Sequence, residues 1–561
     1  MLMVALASQD EFGGETLQLP TPGVSNARFG ISADLQGDRA VVSAIWEPVG
    51  QLSQAGAVYV FDFGATSWTQ TARLEAGDPQ AGAEFGTELA LDGDCIVVGA
   101  PMAEGALPGI KSGAAYVFEF SGGSWMQTAK LVGPDSAVGD GFGRAVSVKG
   151  GRILVGADSH APLVSGSPVN NAGSAYVFRN TGAAWILEAK LVASDAQPSD
   201  LMGRAVSLGL DRAAIGAHEE DQNGIGAGAA YVFVRSGSTW FEEAKLVATH
   251  GTAGDRFGRA LRLLDDELAV GAYLDDGALV DSGAIYVFSR SGSNWAQTAK
   301  VKAEVPQSGD GFGKSLDFGP DLLVAGTPFH AEPVSPDIGG VCIFERSGGA
   351  WNQMQDLVPA SGSPNDQFGL AVALSGARLL VGAPLDDDQG SNSGSSFHYE
   401  RPRAPQHSSF CFGDGSASAC PCANPGGQGR GCANSVNPLG ALLTATGMAS
   451  LSAETLVLDA SGMPDSVSLF LQGTLDQNSG QGTPFADGLL CVAGTIKRLG
   501  PNLIVSGASR EPMSGDLPVS EQGQVVLPGD RTYQVWYRNP AATCTGAGSN
   551  LTNAVRVTWL P

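Results

Sequence analysis

The sequence is poor in charged residues, especially cations, and in long apolar segments. Only 16% of the 561 residues are charged, and 32 Lys and Arg stand against 57 Asp and Glu, a net charge of −25. Such a chain repels phosphate backbones and anionic lipids, so we expect no nucleic-acid partner. No apolar run approaches the roughly 20 residues of a spanning helix, so we expect no membrane insertion. Because acidity also keeps proteins soluble, net charge alone predicts no ligand.

Catalytic signatures are also missing from the sequence. The six histidines are scattered, and no HExxH or GxSxG motif or phosphate-binding loop is present. These absences favour a protein that is not an enzyme. His160, His218 and His330 occupy equivalent loops of the internal repeat described below, so a catalytic centre built from these histidines and nearby acidic residues is kept as an alternative.

What the chain does have is glycine, 78 residues of it, and an internal repeat of 55 to 60 residues. Each copy opens with Phe-Gly or Met-Gly and continues as four short apolar runs bounded by Gly, Asp or Ser, which predicts four β-strands. A fixed period of four strands predicts a β-propeller with one copy per blade. Seven openings predict seven blades: Phe29-Gly30, Phe85-Gly86, Phe142-Gly143, Met202-Gly203, Phe257-Gly258, Phe312-Gly313 and Phe368-Gly369.

Residue size predicts the order of strands within a blade. The first run is rich in small residues, as in 143–148 (GRAVSV), and suits the crowded axis, whereas the Trp-containing fourth run suits the wide rim. The last copy ends after its third run, 395–399. Thr16–Leu19 matches a fourth run and precedes the first copy, so we expect this N-terminal strand to complete the last blade.

The openings, together with second-run endings such as Gly99-Ala100-Pro101 and Gly382-Ala383-Pro384, resemble the FG-GAP repeats of integrin α-subunits over residues 12–400. The resemblance implies an adhesion or recognition protein that binds ligands on the face carrying the second-to-third-strand loops. The family often holds Ca²⁺ between the first two strands. Here those connections are tight turns such as Asp92-Gly93-Asp94, which lack the six to eight oxygens Ca²⁺ needs. The sequence therefore predicts no Ca²⁺ site in these turns. Ca²⁺ binding elsewhere in the protein is kept as an alternative.

Acidic residues cluster in the predicted second-to-third-strand loops, and they are the candidate ligand-binding residues, with the last three also a candidate metal site: Asp158, Glu219, Glu220, Asp221, Asp275, Asp276, Asp386, Asp387 and Asp388. A second acidic set precedes each opening: Glu84, Asp140, Asp200, Asp255, Asp310 and Asp366. Its regular recurrence favours a turn-capping role over ligand binding. Both sets should rim the same mouth of the propeller.

The composition changes near residue 400. Residues 401–409 are rich in Pro and polar side chains and predict a linker. Six cysteines follow in 410–561, which favours disulfides over a zinc site, since Cys420-Pro421-Cys422 is tighter than CxxC. The expected disulfide cysteines are Cys411, Cys420, Cys422, Cys432, Cys491 and Cys544. We expect Cys491 to pair with Cys544 and the other four among themselves, while Cys95 and Cys342 remain buried free thiols.

The segment 410–561 contains about eight further apolar runs with turn signals, which predict a β-sandwich-like domain. Its opening, FCFGDGS and CPCAN, and its ending, TNAVRVTW, resemble a C-terminal module of secreted planctomycete proteins. Residues 1–11 are apolar and contain Ala5-Leu6-Ala7, which favours the remnant of a signal peptide or a disordered terminus.

These observations predict an all-β protein that is secreted or held at the cell surface. A monomeric seven-bladed propeller, residues 12–400, should bind a protein or glycan through its acidic loop face. A secreted hydrolase or lyase acting on polysaccharide at the propeller mouth, and a structural spacer without a ligand, are the two alternatives.

Overall fold

The computed structural model describes residues 12–559, except 22, 65–66, 278, 332–336, 361, 402–406, 448, 450, 452–453, 514–515, 528 and 540–544. The predicted signal remnant, 1–11, lies outside the described residues. The chain forms two compact units, Met1–Pro402 and Arg403–Pro561. Both are built almost wholly from strands, which confirms the predicted all-β class.

The first unit begins with β1 (Gly13–Gln18), and its first sheet consists of β2 (Phe29–Gln36), β3 (Arg39–Ala44), β4 (Ala57–Phe63) and β5 (Trp68–Leu74). The second sheet consists of β6 (Leu89–Asp92), β7 (Cys95–Ala100), β8 (Ala114–Ser121) and β9 (Ser124–Leu131). The third consists of β10 (Phe142–Lys149), β11 (Arg152–Ala157), β14 (Ser174–Asn180) and β15 (Trp185–Leu191), with a small hairpin, β12 (Leu163–Val164) and β13 (Ser167–Pro168), before β14.

The fourth sheet consists of β16 (Ala205–Leu208), β17 (Arg212–Ala217), β18 (Ala229–Ser236) and β19 (Thr239–Leu246). The fifth consists of β20 (Ala260–Leu264), β21 (Glu267–Ala272), β22 (Ala284–Ser291) and β23 (Asn294–Val301). The sixth consists of β24 (Leu316–Phe318), β25 (Leu322–Thr327), β26 (Gly340–Ser347) and β27 (Ala350–Leu357). The seventh consists of β28 (Ala371–Ser375), β29 (Arg378–Ala383), β30 (Ser395–Glu400) and, as its outer strand, β1.

Within the described residues, all seven four-stranded sheets of this unit are antiparallel, and the strand that follows each opening dipeptide stands at one edge. In the seventh sheet, β1 pairs antiparallel with β30, Thr16 opposite His398. The first and last sheets also meet, because the Phe29 amide donates to the carbonyl oxygen of Ser393 at 3.0 Å. The repeat-built β-propeller expected from the sequence is confirmed.

The opening dipeptide has a steric role at the junction between sheets. The Phe142 ring is buried and packs edge-on against Phe178, with ring centroids 6.2 Å apart. Gly143 has a φ of +91°, and a Cβ there would lie 2.2 Å from the carbonyl oxygen of Ala114 in the preceding sheet. A side chain at this position would therefore clash with the neighbouring backbone. The motif keeps adjacent sheets close enough to share a core.

The second unit contains a five-stranded sheet in the order β31, β42, β41, β34, β39 and a three-stranded sheet in the order β32, β33, β40. Their bounds are β31 (His407–Phe410), β32 (Leu442–Thr446), β33 (Val457–Ser461), β34 (Val467–Gly473), β39 (Lys497–Leu503), β40 (Ala508–Glu511), β41 (Gly529–Arg538) and β42 (Ser549–Trp559). The remaining elements are β35 (Leu475–Asp476), β36 (Thr483–Phe485), β37 (Gly488–Leu490), β38 (Val492–Ala493) and α1 (Val519–Gly523). One apolar core, including Leu458 and Trp559, draws on both sheets, as a sandwich requires.

Two expectations for this region are corrected. Strand β31 begins at His407, inside the predicted linker, and pairs with β42. The predicted pair of Cys491 with Cys544 is wrong, because Cys491 bonds Cys411 across 80 residues and Cys420 bonds Cys432. Spacing alone does not determine connectivity. Cys422 is also disulfide-bonded, whereas Cys544 lies outside the described residues.

Cys95 and Cys342 are free thiols, as expected, but Cys342 is buried whereas Cys95 is only half-buried. Burial raises the pKa of both thiols. In the part of the chain that the structure describes, no helix has the length and apolar character to cross a membrane.

Candidate functional site

The propeller mouth is formed where the links between sheets meet the loops after each second strand. In the third sheet, for example, the Ser159 amide in the loop donates to the carbonyl oxygen of Asp140 in the link, at 3.2 Å. The same bond joins Glu219 to Asp200 in the fourth sheet, at 3.4 Å. The two acidic sets therefore lie at the same end of the propeller.

The aspartates of the links cap their own turns. The Asp200 carboxylate accepts the Gln197 amide at 2.7 Å, and the Asp255 carboxylate accepts the Thr252 amide at the same distance. Asp140, Asp310 and Asp366 accept equivalent bonds from the amide three residues earlier. All five are buried. This is the capping role that their regular recurrence indicated.

Glu84 does not belong to this set. It directly precedes the opening Phe, whereas the capping aspartates stand one residue further away, so Ala83 occupies the capping position. Grouping Glu84 with the aspartates was wrong by one residue. Its backbone has a φ of +55°, and the residue lines the central cavity.

Three of the candidate acidic residues are buried against their own sheets. Glu220 lies 2.8 Å from the Lys245 ammonium, and Asp275 lies 2.7 Å from the Lys300 ammonium. The Asp275 carboxylate also accepts the Tyr286 hydroxyl at 2.6 Å. Asp386 accepts the Ser395 hydroxyl at 2.8 Å. These carboxylates hold the loop onto the third and fourth strands and do not line the central cavity.

The acidic residues that follow them close the same loops. Asp221, Asp276 and Asp387 each accept the backbone amide five residues later, at 2.8, 3.1 and 2.6 Å. Asp388 is exposed next to them. In the described residues, no group of three or more His, Cys, Asp or Glu side chains is arranged to hold a metal ion, so Asp386–Asp388 do not form one.

The other two candidates pair with arginine. Glu219 forms a salt bridge with Arg256. One carboxylate oxygen of Asp158 lies 3.5 Å from both Arg144 and Arg204. Asp158 is the candidate that lies beside the central cavity, because Arg144 and Arg204, with which it pairs, both line that cavity.

The central cavity has a volume of about 370 Å³ and is lined by the first strands of the sheets and the residues before them. Its walls carry small and aliphatic side chains such as Ala145 and Val206. They also carry four cations, Arg144, Arg204, Arg259 and Lys314, in a protein whose net charge is −25. These residues were not among the sequence candidates. The detectable signal was a basic residue directly after the opening glycine in four successive repeats.

The cations depress one another's proton affinity. Burial and the neighbouring Arg204 lower the pKa of Arg259 to about 10. Burial, Arg259 and Arg204 lower the pKa of Lys314 to about 7. His218 is adjacent, and burial with the same cations lowers its pKa to about 3, so it is neutral at pH 7. Such shifts indicate cations close together in a poorly hydrated space.

One carboxyl group in the cavity has an unusual pKa. Burial raises the pKa of Glu88 to about 7, although Ser32 donates to it at 3.0 Å and Arg259 and Arg204 act in the opposite direction. Glu88 can therefore exchange a proton near neutral pH. It joins the four cations as a titratable group of the cavity wall.

The three loop histidines do not form one centre. His160 is buried within its sheet, with Nδ1 3.1 Å from the Ser174 hydroxyl. His330 contacts Asp310 at 3.1 Å. Only His218 lies close to the cavity cations, so the alternative centre built from all three histidines is not assembled.

The exposed apolar residues of the mouth complete the site. The loops after the second strands carry Leu107, Leu163, Ile225, Leu279 and Val280, with exposures from 44% to 82%. Their recurrence in the loops of four successive sheets makes this end of the propeller a candidate interaction surface. We call these five residues the apolar rim.

Comparison with protein-family models finds the FG-GAP repeat at residues 19–61, 68–118, 125–178, 185–233, 240–288 and 351–399. Together these six segments cover more than half of the chain. No curated protein is found to match it. FG-GAP propellers are typically protein-binding rather than catalytic, and both their repeats and disulfides are typical of extracellular proteins. The repeated openings, the four-stranded sheets and the matched segments together show that this chain belongs to the FG-GAP repeat family.

Proposed function

We propose that this protein is a secreted or cell-surface binding protein that recognises a protein or glycan at the propeller mouth. The observation that carries the proposal is the apolar rim, whose exposed residues stand in the loops of four successive sheets. Nearly all the loop acids are engaged in the protein's own hydrogen bonds and ion pairs, so they are poor ligand groups. The apolar rim and the cavity cations are not used in this way.

The rim residues belong to loops with well-defined internal bonding. In the fourth sheet, the Gly226 amide, next to Ile225, donates to Asp221 at 2.8 Å. Ile225 itself is 82% exposed. A rigid loop that presents an apolar side chain loses little conformational entropy on binding, which favours recognition. The acidic residues thus support the binding face indirectly, by shaping its loops.

A matched pair of variants tests this proposal. Full-length protein would be screened against extracellular proteins and a glycan array, and its ligand then measured with Ile225→Ser and Leu210→Ser. Leu210 is 65% exposed in the first-to-second-strand turn of the same sheet, at the opposite end. We expect Ile225→Ser to weaken binding at least fivefold and Leu210→Ser to leave it unchanged. Equal effects of both variants, or no ligand in either screen, would refute the proposal.

The second candidate, an enzyme acting on acidic polysaccharide, is favoured by Glu88 alone. A carboxyl group with a pKa of about 7 near Arg204 and Arg259 is suited to general acid–base chemistry on an anionic sugar. Incubation with uronate and sulfated polysaccharides, followed by reducing-end and unsaturated-product assays, tests it. Product formation that Glu88→Gln abolishes would favour the enzyme. The absence of any product would favour the binding protein.

A further inference from the structure

Four cations occupy the same position in four successive repeats. Arg144, Arg204, Arg259 and Lys314 each directly follow the opening glycine of repeats three to six. The equivalent residues of the other repeats are uncharged: Ile31, Thr87 and Leu370. The cations therefore occupy one arc of the ring of first strands and face the cavity together.

The protein neutralises only part of this charge. Arg144 and Arg204 share the single carboxylate of Asp158, at 3.5 Å each. Within the described residues, neither Arg259 nor Lys314 has a carboxylate within salt-bridge distance. The Lys314 ammonium instead lies 3.8 Å from the centre of the Tyr273 ring.

A nearby arginine shows how the same fold neutralises a cation. Arg262, three residues after Arg259, lies 3.0 Å from the Asp317 carboxylate. That carboxylate raises the pKa of Arg262, the reverse of the shift at Arg259. Asp317 also accepts the amides of Phe318 and Leu374 at 2.7 Å. Arg262 thus has a carboxylate at salt-bridge distance, whereas Arg259 has none among the residues that the structure describes.

Two buried nitrogen atoms near the cavity cations lack a hydrogen bond. The buried His218 Nδ1 has no hydrogen-bond partner, and the buried Arg144 Nε, 3.5 Å from the Asp158 carboxylate, makes an ion pair but no hydrogen bond. A buried donor or acceptor without a partner is unfavourable, so a water molecule, an ion or another polar group that reaches these atoms would be stabilised there. Arg144 lines the cavity, and His218 lies near enough to the cavity cations for their charges to lower its pKa.

We propose that Arg144, Arg204, Arg259 and Lys314 form a binding site for an oxoanionic group, a sulfate, a phosphate or clustered carboxylates, inside the propeller cavity. Guanidinium groups bind oxoanions through paired, charge-assisted hydrogen bonds. An anion between the cations offsets their mutual repulsion. Among the described residues, the protein's own carboxylates lie at salt-bridge distance from Arg144 and Arg204 only, and the more distant Glu88 acts weakly on Arg259.

The cavity size fits a small charged group rather than a long chain. Its volume of about 370 Å³ lies at the lower end of the range for small-molecule sites. The group can arrive as a free anion or as a substituent of a larger glycan held at the apolar rim. The second source rests on the proposed function, whereas the first does not.

Calorimetric titration of the full-length protein tests the site. The probes are sodium sulfate, sodium phosphate and a sulfated disaccharide, with sodium chloride holding ionic strength constant. We expect sulfate to bind with a millimolar or lower Kd and the double variant Arg259→Gln, Lys314→Met to weaken it at least tenfold. The matched control is Lys149→Gln, at the opposite end of β10 from Arg144, with its side chain 46% exposed; it should change Kd less than twofold.

The outcomes separate the source of the anion and the two proposals. Tighter binding of the disaccharide than of sulfate, weakened by Ile225→Ser, indicates a substituent of a glycan; equal affinity indicates a free anion. Both support the site. No binding of any probe at tens of millimolar, or a double variant with wild-type affinity, overturns it even if Ile225→Ser abolishes binding of a screened ligand. If the double variant does not fold, Lys314→Met alone, with an expected threefold loss, replaces it.

Discussion

The acidic loops and the central cavity use charge in opposite ways. In the loops, Asp275 is surrounded by the Lys300 ammonium, the Tyr286 hydroxyl and the Gly277 amide. In the cavity, Arg259 and Lys314 face each other's charge without a carboxylate partner among the described residues. In the loops, paired carboxylates and ammonium groups hold the fold together. In the cavity, the cations without such a carboxylate are, on our proposal, the groups that bind an oxoanion. Net charge of a whole chain therefore says little about the sign of its binding site.

The largest expected effect comes from breaking a loop network. Asp275→Ala would leave the Lys300 ammonium and the Tyr286 hydroxyl unpaired, and we expect a loss of about 2 to 3 kcal/mol of unfolding free energy. Chemical denaturation of the propeller measures it. Asp276→Asn changes an exposed neighbour that accepts one amide and should cost well under half as much. Equal losses would contradict the structural role of Asp275.

A smaller effect is expected from removing the one carboxylate shared by two cavity arginines. Asp158→Asn would leave Arg144 and Arg204 uncompensated, so stability should fall by about 1 to 2 kcal/mol at low salt. Sulfate should recover most of this loss and should bind the variant more tightly than the wild type. Thermal melts in sulfate and in chloride of equal ionic strength provide the measurement. Weaker sulfate binding would mean that Asp158 itself shapes the site.

Lys314 should make the stability of the propeller depend on pH. Its pKa falls from the usual 10.5 to about 7 on folding, so between those values the unfolded chain binds more protons and this group makes stability rise with pH. Arg259, Arg204 and Tyr273 are the charged and titratable groups that face it. Lys314→Met should be more stable than the wild type by about 1 kcal/mol at pH 6. The difference should shrink towards pH 10; a constant difference would contradict the shift.

The smallest effect is expected at Lys149, which pairs with Asp92 at 3.1 Å on the surface. Exposed ion pairs contribute about 0 to 1 kcal/mol. Lys149→Gln should change the melting temperature by no more than about 2 °C. A larger change would mean that removing any charge from the first strands alters stability. The cavity cations would then not differ from surface cations such as Lys149.

The sequence predicted the repeat fold well because its spacing and residue sizes are directly readable. The opening Phe and Gly proved to be junction residues, and the Trp-containing strands are the outer strands of their sheets. The first three strands of the sixth sheet lie outside the matched family segments. It has Cys342 where other repeats have Tyr, for example Tyr286, so its sequence departs from the pattern while its four strands remain.

The candidate site was harder to predict, for a physical reason. Acidic clusters such as Asp386–Asp388 look like ligands in a sequence, but the Asp386 and Asp387 carboxylates accept hydrogen bonds from amides and a hydroxyl of their own sheet and loop. The cavity cations are single residues separated by 55 to 60 positions, and only the packing of successive first strands side by side brings them together. Disulfide pairing in the second unit was missed because it depends on strand pairing that spacing does not encode.

The most direct test of the central claim is anomalous diffraction from crystals of the full-length protein soaked in selenate, a heavier analogue of sulfate. We expect an anomalous peak from selenate inside the propeller cavity, within hydrogen-bond distance of at least two of Arg144, Arg204, Arg259 and Lys314. Selenate elsewhere on the protein with an empty cavity would contradict it.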